Sequence, residues 1–379
     1  MITIFCSIDP LNQVMINIKN ITDFLESIAP LSFQESYDNC GLITGNPITP
    51  LKGIMVCLDS TEEVVNEAIK RNCNLIISHH PIVFSGLKKI NGNNYVERAI
   101  IAAIKNDIAI YAIHTNLDNV SNGVNSMIAK KLGLINTRIL SPKKRMLSKL
   151  VTFSPLEHAE KIRMTLFKAG AGNIGNYSEC SFNTPGEGTF NGNEFSNPFV
   201  GEKGKIHSEK EIRIETVFES QKQNDIINAL IEAHPYEEVA FDIYVLENSY
   251  SNVGSGMIGE LVDNQDESEF LLNVKKVMKT GSLRHTALLG NPVKKVAICG
   301  GSGSFLLSLA IQEGANAFIS ADFKYHQFFV ADKKIIIADI GHYESEQFTL
   351  ELIEKLILEK FSTFAVRLTT VNTNPINYM

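Results

Sequence analysis

The sequence predicts an α/β protein: two similar α/β lobes with mainly parallel sheets, forming one metal-binding core, and an inserted ferredoxin-like α+β domain between them. Three observations predict it. A strand, helix, strand, connection, strand order occurs twice in the chain. The apolar runs are short and continuous, as strands buried on both faces of a parallel sheet require. The middle segment matches neither copy.

Residues 1–14 read as a disordered or frayed extension, because Met1–Cys6 is interrupted by Asp9 and Pro10 while Met15 opens a better amphipathic helix. The first lobe covers residues 15–146. Its strands are Gly53–Leu58, the run from Asn74 that leads into His79-His80-Pro81, and Ile108–Ile113, and a helix over Thr61–Arg71 ends near Asn72, a residue suited to a helix C-terminus. The second lobe, residues 251–379, repeats this order with Lys295–Gly300, a helix over Ser304–Glu313 ending near Gly314, then Asn316–Ala321 and Ile335–Ile340.

The insert covers residues 147–250. Ser148–Phe153 reads as a strand, and Ser154-Pro155 with Glu157 opens a helix through Lys168 by the preference for a cap residue and a first-position proline. Strands near Tyr177–Phe182 and Glu211–Phe218, a helix over Ser220–Ala233 and a strand over Val239–Leu246 complete a βαββαβ order. Residues 183–205, rich in Gly, Asn and Pro, read as turns or a mobile hairpin tip. His234-Pro235-Tyr236-Glu237-Glu238 reads as a local cap or interface element, not a metal site.

With 379 residues, 44% of them hydrophobic, the chain has ample material for a core. A net charge of -7 argues against a nucleic-acid surface, which needs clustered Lys and Arg. No run is apolar and long enough for a membrane span. The six cysteines, at 6, 40, 57, 73, 180 and 299, form no C-x-x-C pair, which fits a reducing cytoplasm.

Chemistry-bearing side chains gather just past the strand ends, where open α/β sheets place reactive groups. The first lobe offers His79-His80 and His114-x-x-x-Asp118; the second offers Asp322 and His342-x-x-x-Glu346. The metal hypothesis rests on His79, His80, Asp118, His342 and Glu346. Imidazoles and carboxylates without thiolate suit a first-row divalent ion such as Zn, Fe, Mn or Ni. Adjacent histidines on an extended strand point apart, so two ions are more natural than one, with Asp118 or Glu346 as the bridge. His114 is a candidate ligand, orienting partner or proton carrier, and Asp322 and His326 are candidates for acid or base work, with a helix cap as the plainer reading of Asp322. Gly300-Gly301-Ser302-Gly303 could hold a phosphate, but a tight turn explains it equally well.

These residues resemble the GTP cyclohydrolase I type 2 homologs, the Nif-three-like proteins, in the longer YqfO-type form with an insert. The resemblance rests on Tyr37-Asp38-Asn39-Cys40-Gly41-Leu42, Ser78-His79-His80-Pro81, His114–Asp118, Cys299–Gly303, Lys324-Tyr325-His326, Gly341–Glu346 and Val371-Asn372-Thr373-Asn374-Pro375. It implies a pair of divalent ions on His79, His80, Asp118, His342 and Glu346, the glutamate touching both. It further implies a toroidal homohexamer and an insert similar to the PII-like and CutA-like trimeric domains. Hydrolytic opening of the guanine imidazole ring of GTP is the implied activity, with His114 or His326 relaying protons. Three functions remain open: a metal-dependent hydrolase of a nucleotide or another phosphorylated small molecule, a metallochaperone or metal store, and a regulatory scaffold whose insert senses a small molecule.

Overall fold

The structure, a computed structural model, describes residues 16–379. The extension expected over residues 1–14, with Cys6, lies outside the described residues. Residues 16–141 and Asn252–Met379 form one compact unit, and Pro142–Ser251 form another.

In the larger unit, Ile54–Cys57, Leu75–Ser78 and Ala109–Ala112 run parallel, with Ile54 opposite Leu75 and Leu75 opposite Ala109. All four residues of each strand are buried, which is why these runs carry no polar alternation. Gly41–Thr44 adds an antiparallel edge on Ala109–Ala112, and Val366–Leu368, from the far end of the chain, adds a parallel edge on Ile54–Cys57. Helices Glu62–Lys70 and Tyr95–Lys105 bury Val64, Val65, Ala68, Ala99 and Ala103 against Met55, Ile76 and Ile110. Each buried Val, Ile or Met among them contributes about 1.5–3 kcal/mol by leaving water.

The second sheet repeats the parallel core with Val293–Ser302, Ala317–Ala321 and Ile336–Asp339, Val296 facing Ala317 and Ala317 facing Ile336. Ser249–Gln265 pairs antiparallel with Val293–Ser302 on one side, with Ile135–Lys144 beyond it, and Arg284–His285 pairs antiparallel with Ile336–Asp339 on the other. Each sheet therefore takes a strand from the other half of the sequence.

The repeat extends to single hydrogen bonds. Asn74 Oδ1 accepts from Lys52 N at 2.7 Å, and Asn316 Oδ1 accepts from Lys294 N at 3.0 Å and Lys295 N at 2.8 Å. Both side chains tie the residue before the middle strand to the preceding strand's beginning, at Lys52 just ahead of Ile54–Cys57 and at Lys294 and Lys295 in the first residues of Val293–Ser302. The helices end in left-handed residues, Asn72 at φ 54° and Gly314 at φ 73°, as their identities predict.

The smaller unit has a four-stranded antiparallel sheet in the order Phe182–Asn191, Ile206–Glu219, Leu147–Pro155, Phe241–Leu246, with helices Ala159–Lys168 and Gln223–Ala233 packed on its core. This is the βαββαβ order read from the sequence. Two details differ. Pro155 ends a strand, opposite Glu211, and the helix starts only at Ala159, because the pairing with Ile206–Glu219 continues to that residue. Residues 183–191, expected as turns, form a strand paired from Phe182↔Glu215 to Asn191↔Ile206. Pro185 and the glycines are tolerated there because this is the sheet's edge strand.

Candidate metal centre

The Leu75–Ser78 strand is prolonged by His79 N donating to Cys57 O at 3.1 Å and His80 N donating to Leu58 O at 2.9 Å, which fixes both histidines at the sheet's carboxyl end. His114 and Asp118 bracket the one-turn helix Thr115–Asp118. His342 and Glu346 lie on one face of the helix His342–Glu346, four residues apart, with Nε2 3.2 Å from Oε2. The chain brings these three segments together. Ring centroids lie 5.0 Å apart for His79 and His80, 5.2 Å for His114 with either of them, and 5.3 Å for His80 and His342.

Every one of the four rings commits Nδ1 to a partner outside the cluster. His79 Nδ1 lies 2.9 Å from Ile113 O, His80 Nδ1 2.8 Å from Asp59 Oδ1, His114 Nδ1 2.9 Å from Asp38 Oδ1 and His342 Nδ1 2.6 Å from Asp322 Oδ2. Such outer partners fix the tautomer and leave Nε2 as the inward, basic nitrogen. Glu346, almost fully buried, divides its two oxygens: Oε1 is 3.7 Å from His79 Nε2, while Oε2 is 2.9 Å from His80 Nε2 and 3.2 Å from His342 Nε2. Asp118 Oδ1 is also 3.7 Å from His79 Nε2.

His79 Nε2 and Asp118 Oδ1 are buried and have no hydrogen-bond partner among the described residues. Orphaned polar atoms of this kind are costly unless something else joins them. A gap of 3.7 Å is too long for a hydrogen bond and fits two ligands on one ion at metal–ligand distances of about 2.0–2.2 Å. The donor set, imidazole with carboxylate and no thiolate, fits a first-row divalent cation.

The electrostatics agree. Burial pulls the imidazoles of His80 and His342 down, but the carboxylates around them prevail and hold them at about 10 and about 11. Burial, opposed by His114 and reinforced by Glu346, pushes Asp118 up to about 7. Burial acts to raise Glu346, but the cationic His342 beside it prevails and holds it well below the usual carboxylate range. Protons thus neutralise a cluster whose charges a divalent cation would otherwise balance.

Gly301 explains the glycine run. It sits at φ 61°, and a Cβ there would fall 2.4 Å from Glu346 Oε1 and 3.3 Å from His342 Cε1. Gly301 makes room for the carboxylate, whereas Gly303 makes room for Ser320 and Cys299. Gly301→Ala is expected to cost about 1–2 kcal/mol from the left-handed backbone alone and to lower metal content. Elemental analysis and a melting curve measure both, and unchanged metal content would show that the carboxylate does not need that space.

Asp322 orients His342 and caps no helix; the following turn is capped by Lys324. His326 is exposed, its ring against Tyr325 and Phe329, and no hydrogen bond joins it to the cluster among the described residues. His234 is a structural residue: Nε2 donates to Phe153 O at 2.9 Å and Nδ1 accepts from Tyr236 N at 3.1 Å. Asp59, which also accepts from Thr373 Oγ1 at 2.7 Å, was missed as a site residue. Its position just beyond the Ile54–Cys57 strand was the available signal. Asp38 had no such signal, since it comes from an irregular segment before the first strand.

Two interlocked α/β halves presenting an imidazole and carboxylate cluster able to hold a metal ion define the class of protein. The chain belongs to the Duf34/NIF3 (NGG1p interacting factor 3) family, whose model matches residues 16–375. It is 37% identical over 368 residues to the GTP cyclohydrolase 1 type 2 homolog of Halalkalibacterium halodurans, covering 96% of this chain and 99% of that one. To the Bacillus subtilis protein of the same name it is 36% identical, covering 96% and 99%. Among solved structures, a Bacillus cereus protein related to NIF3 superposes with a TM-score of 0.82 at 36% identity, over 96% of this chain and 100% of that one.

Proposed function

We propose that the cluster holds two divalent cations and serves a metal-dependent hydrolase of the GTP cyclohydrolase 1 type 2 kind, acting on a nucleotide or a related phosphorylated small molecule. The observation that carries this reading is the division of Glu346 between two sets of nitrogens. His79, Asp118 and Glu346 Oε1 form one set of ligands; His80, His342 and Glu346 Oε2 form the other. A pair of divalent ions supplies Lewis acidity and lowers the pKa of water toward neutrality. His114, hydrogen-bonded to Asp38 and set between His79 and His80, is the residue placed to carry a proton. His326 has no such place.

The relatives' names support the nucleotide reading. A toroidal homohexamer in the cytoplasm, with an insert of PII-like or CutA-like type, belongs to the same proposal. No described helix is long and apolar enough to cross a membrane.

The test is to measure metal content and nucleotide hydrolysis on one anaerobically purified sample of the protein and of His79→Ala. Turnover with GTP or another nucleotide that disappears in the variant supports the hydrolase. Two bound metals with no turnover, and transfer of metal to an acceptor protein, replaces it with a metallochaperone. Turnover that persists after metal removal refutes the assignment.

A further inference from the structure

We propose that the smaller unit carries a binding site for a small organic cation of the alkylammonium class, in the cavity between the hairpin of Phe182–Asn191 with Ile206–Glu219 and the segment 236–238. This site is independent of the metal centre. Its volume is about 670 Å³, inside the roughly 300–1,000 Å³ typical of small-molecule pockets.

Aromatic rings and carboxylates make up its recognising surface. Tyr236 lies with its ring centroid 6.2 Å from that of Phe199 and 6.5 Å from that of Phe190, and all three line the cavity. The faces of such rings attract a cation, the more so where water is excluded. Glu187, Glu211, Glu237 and Glu238 also line it, against a single base, Arg213, which is engaged by Glu215 at 3.0 Å. An anion would meet that excess of negative charge. A purely apolar guest would strip water from carboxylates without compensating them.

A chelated metal ion is the other cationic guest to consider. Among the described residues, the clusters tight enough to chelate an ion lie at the metal centre, and none includes these four glutamates. A point ion would lack such a cage here, whereas a diffuse charge held by ring faces does not need one.

The walls are pre-set. Tyr236 Oη donates to Glu211 Oε1 at 2.8 Å, and Asn197 N donates to Glu237 Oε2 at 2.6 Å, which anchors the segment bearing Phe199. A Cβ at Gly188 would lie 2.2 Å from Glu211 Oε2, so a glycine at that point lets the carboxylate lie across the edge strand. Both the Gly-rich excursion and the Tyr236-Glu237-Glu238 run acquire a purpose on this reading.

The experiment is a calorimetric titration of the full-length, metal-loaded protein with tetramethylammonium, choline and spermidine, and with 3,3-dimethylbutan-1-ol, the neutral shape-mimic of choline. The expected result is saturable binding of at least one cation, with the neutral mimic weaker than choline by about tenfold or more. Phe199→Leu and Glu238→Gln alter exposed side chains, so the fold should persist, as a melting curve will show. Each should weaken cation binding by about fivefold and leave metal content unchanged. No saturable binding of any of the three cations up to about 10 mM overturns the proposal. So does equal binding of the neutral mimic, or unaltered affinity in Phe199→Leu.

Discussion

If the centre holds two ions as proposed, replacing Glu346 by glutamine is expected to leave at most one equivalent of metal per chain, while His234→Ala keeps both. The carboxylate is buried, and its two oxygens face separate groups of imidazole nitrogens. Glutamine keeps the volume but removes the charge and turns one oxygen into an NH₂ that donates instead of accepting. The set containing His80 and His342 can keep the amide oxygen, or the set containing His79 can, but not both. His234 is the control because its two ring nitrogens are satisfied within the smaller unit. Asp59→Asn should fall between them: it only orients His80, and loss of such a partner typically weakens metal affinity by about 10–100-fold. Elemental analysis of the three variants after one purification checks the order. Full occupancy in Glu346→Gln would remove that residue from the centre.

The sequence showed this site well because the fold's logic is repetitive. Three buried runs in each half predict a parallel core, and a parallel core predicts where its reactive ends lie. His79, His80 and Asp118, and His342 with Glu346, follow from that rule without knowledge of tertiary packing. What the rule cannot supply is the environment of each ring. Asp38 reaches His114 from 76 residues away, and Thr373 reaches Asp59 from 314 away, in segments that carry no periodicity of their own. The same limit applies to Val366–Leu368, whose pairing with Ile54–Cys57 depends on long-range register. In the smaller unit, local composition misled: Gly, Asn and Pro at 183–191 signal turns, yet an edge strand needs neither the missing N–H of Pro185 nor bulky side chains facing a core. His326 drew interest from its neighbours in sequence, but the turn over Tyr325–Ala331 leaves it exposed, outside the cluster.

Metal uptake should strengthen steeply with rising pH, and the metal-free protein should lose stability over the same range. Burial disfavours the charged imidazoles of His80 and His342, but Glu346, Asp59 and Asp322 outweigh it and hold them at about 10 and about 11. Both rings are therefore protonated near pH 7, and an incoming ion must displace two protons from the nitrogens it needs. Asp118, at about 7, adds a fraction of a third. Titration with Zn²⁺ or Mn²⁺ in buffers of different ionisation enthalpy should thus register release of about two protons or more, and apparent affinity should rise by up to about two decades per pH unit. For stability the sign is opposite. A folded-state pKa above the unfolded value of roughly 6.5 means the native chain binds protons that the unfolded chain has released. That stabilisation is complete below about pH 6.5 and drains away as pH climbs through 10 and 11. The depressed carboxylates Glu346, Asp59 and Asp322 act from the other side, their contribution being lost as pH falls below the ordinary carboxylate range. Chelator-treated protein should accordingly melt highest in mildly acidic buffer and progressively lower toward pH 10, whereas metal-loaded protein should hold its melting temperature across that interval, because the ions have already replaced the protons. A metal-free protein whose melting temperature rose between pH 7 and pH 10 would show that the imidazoles are neutral at the outset and that Glu346 does not lie among them.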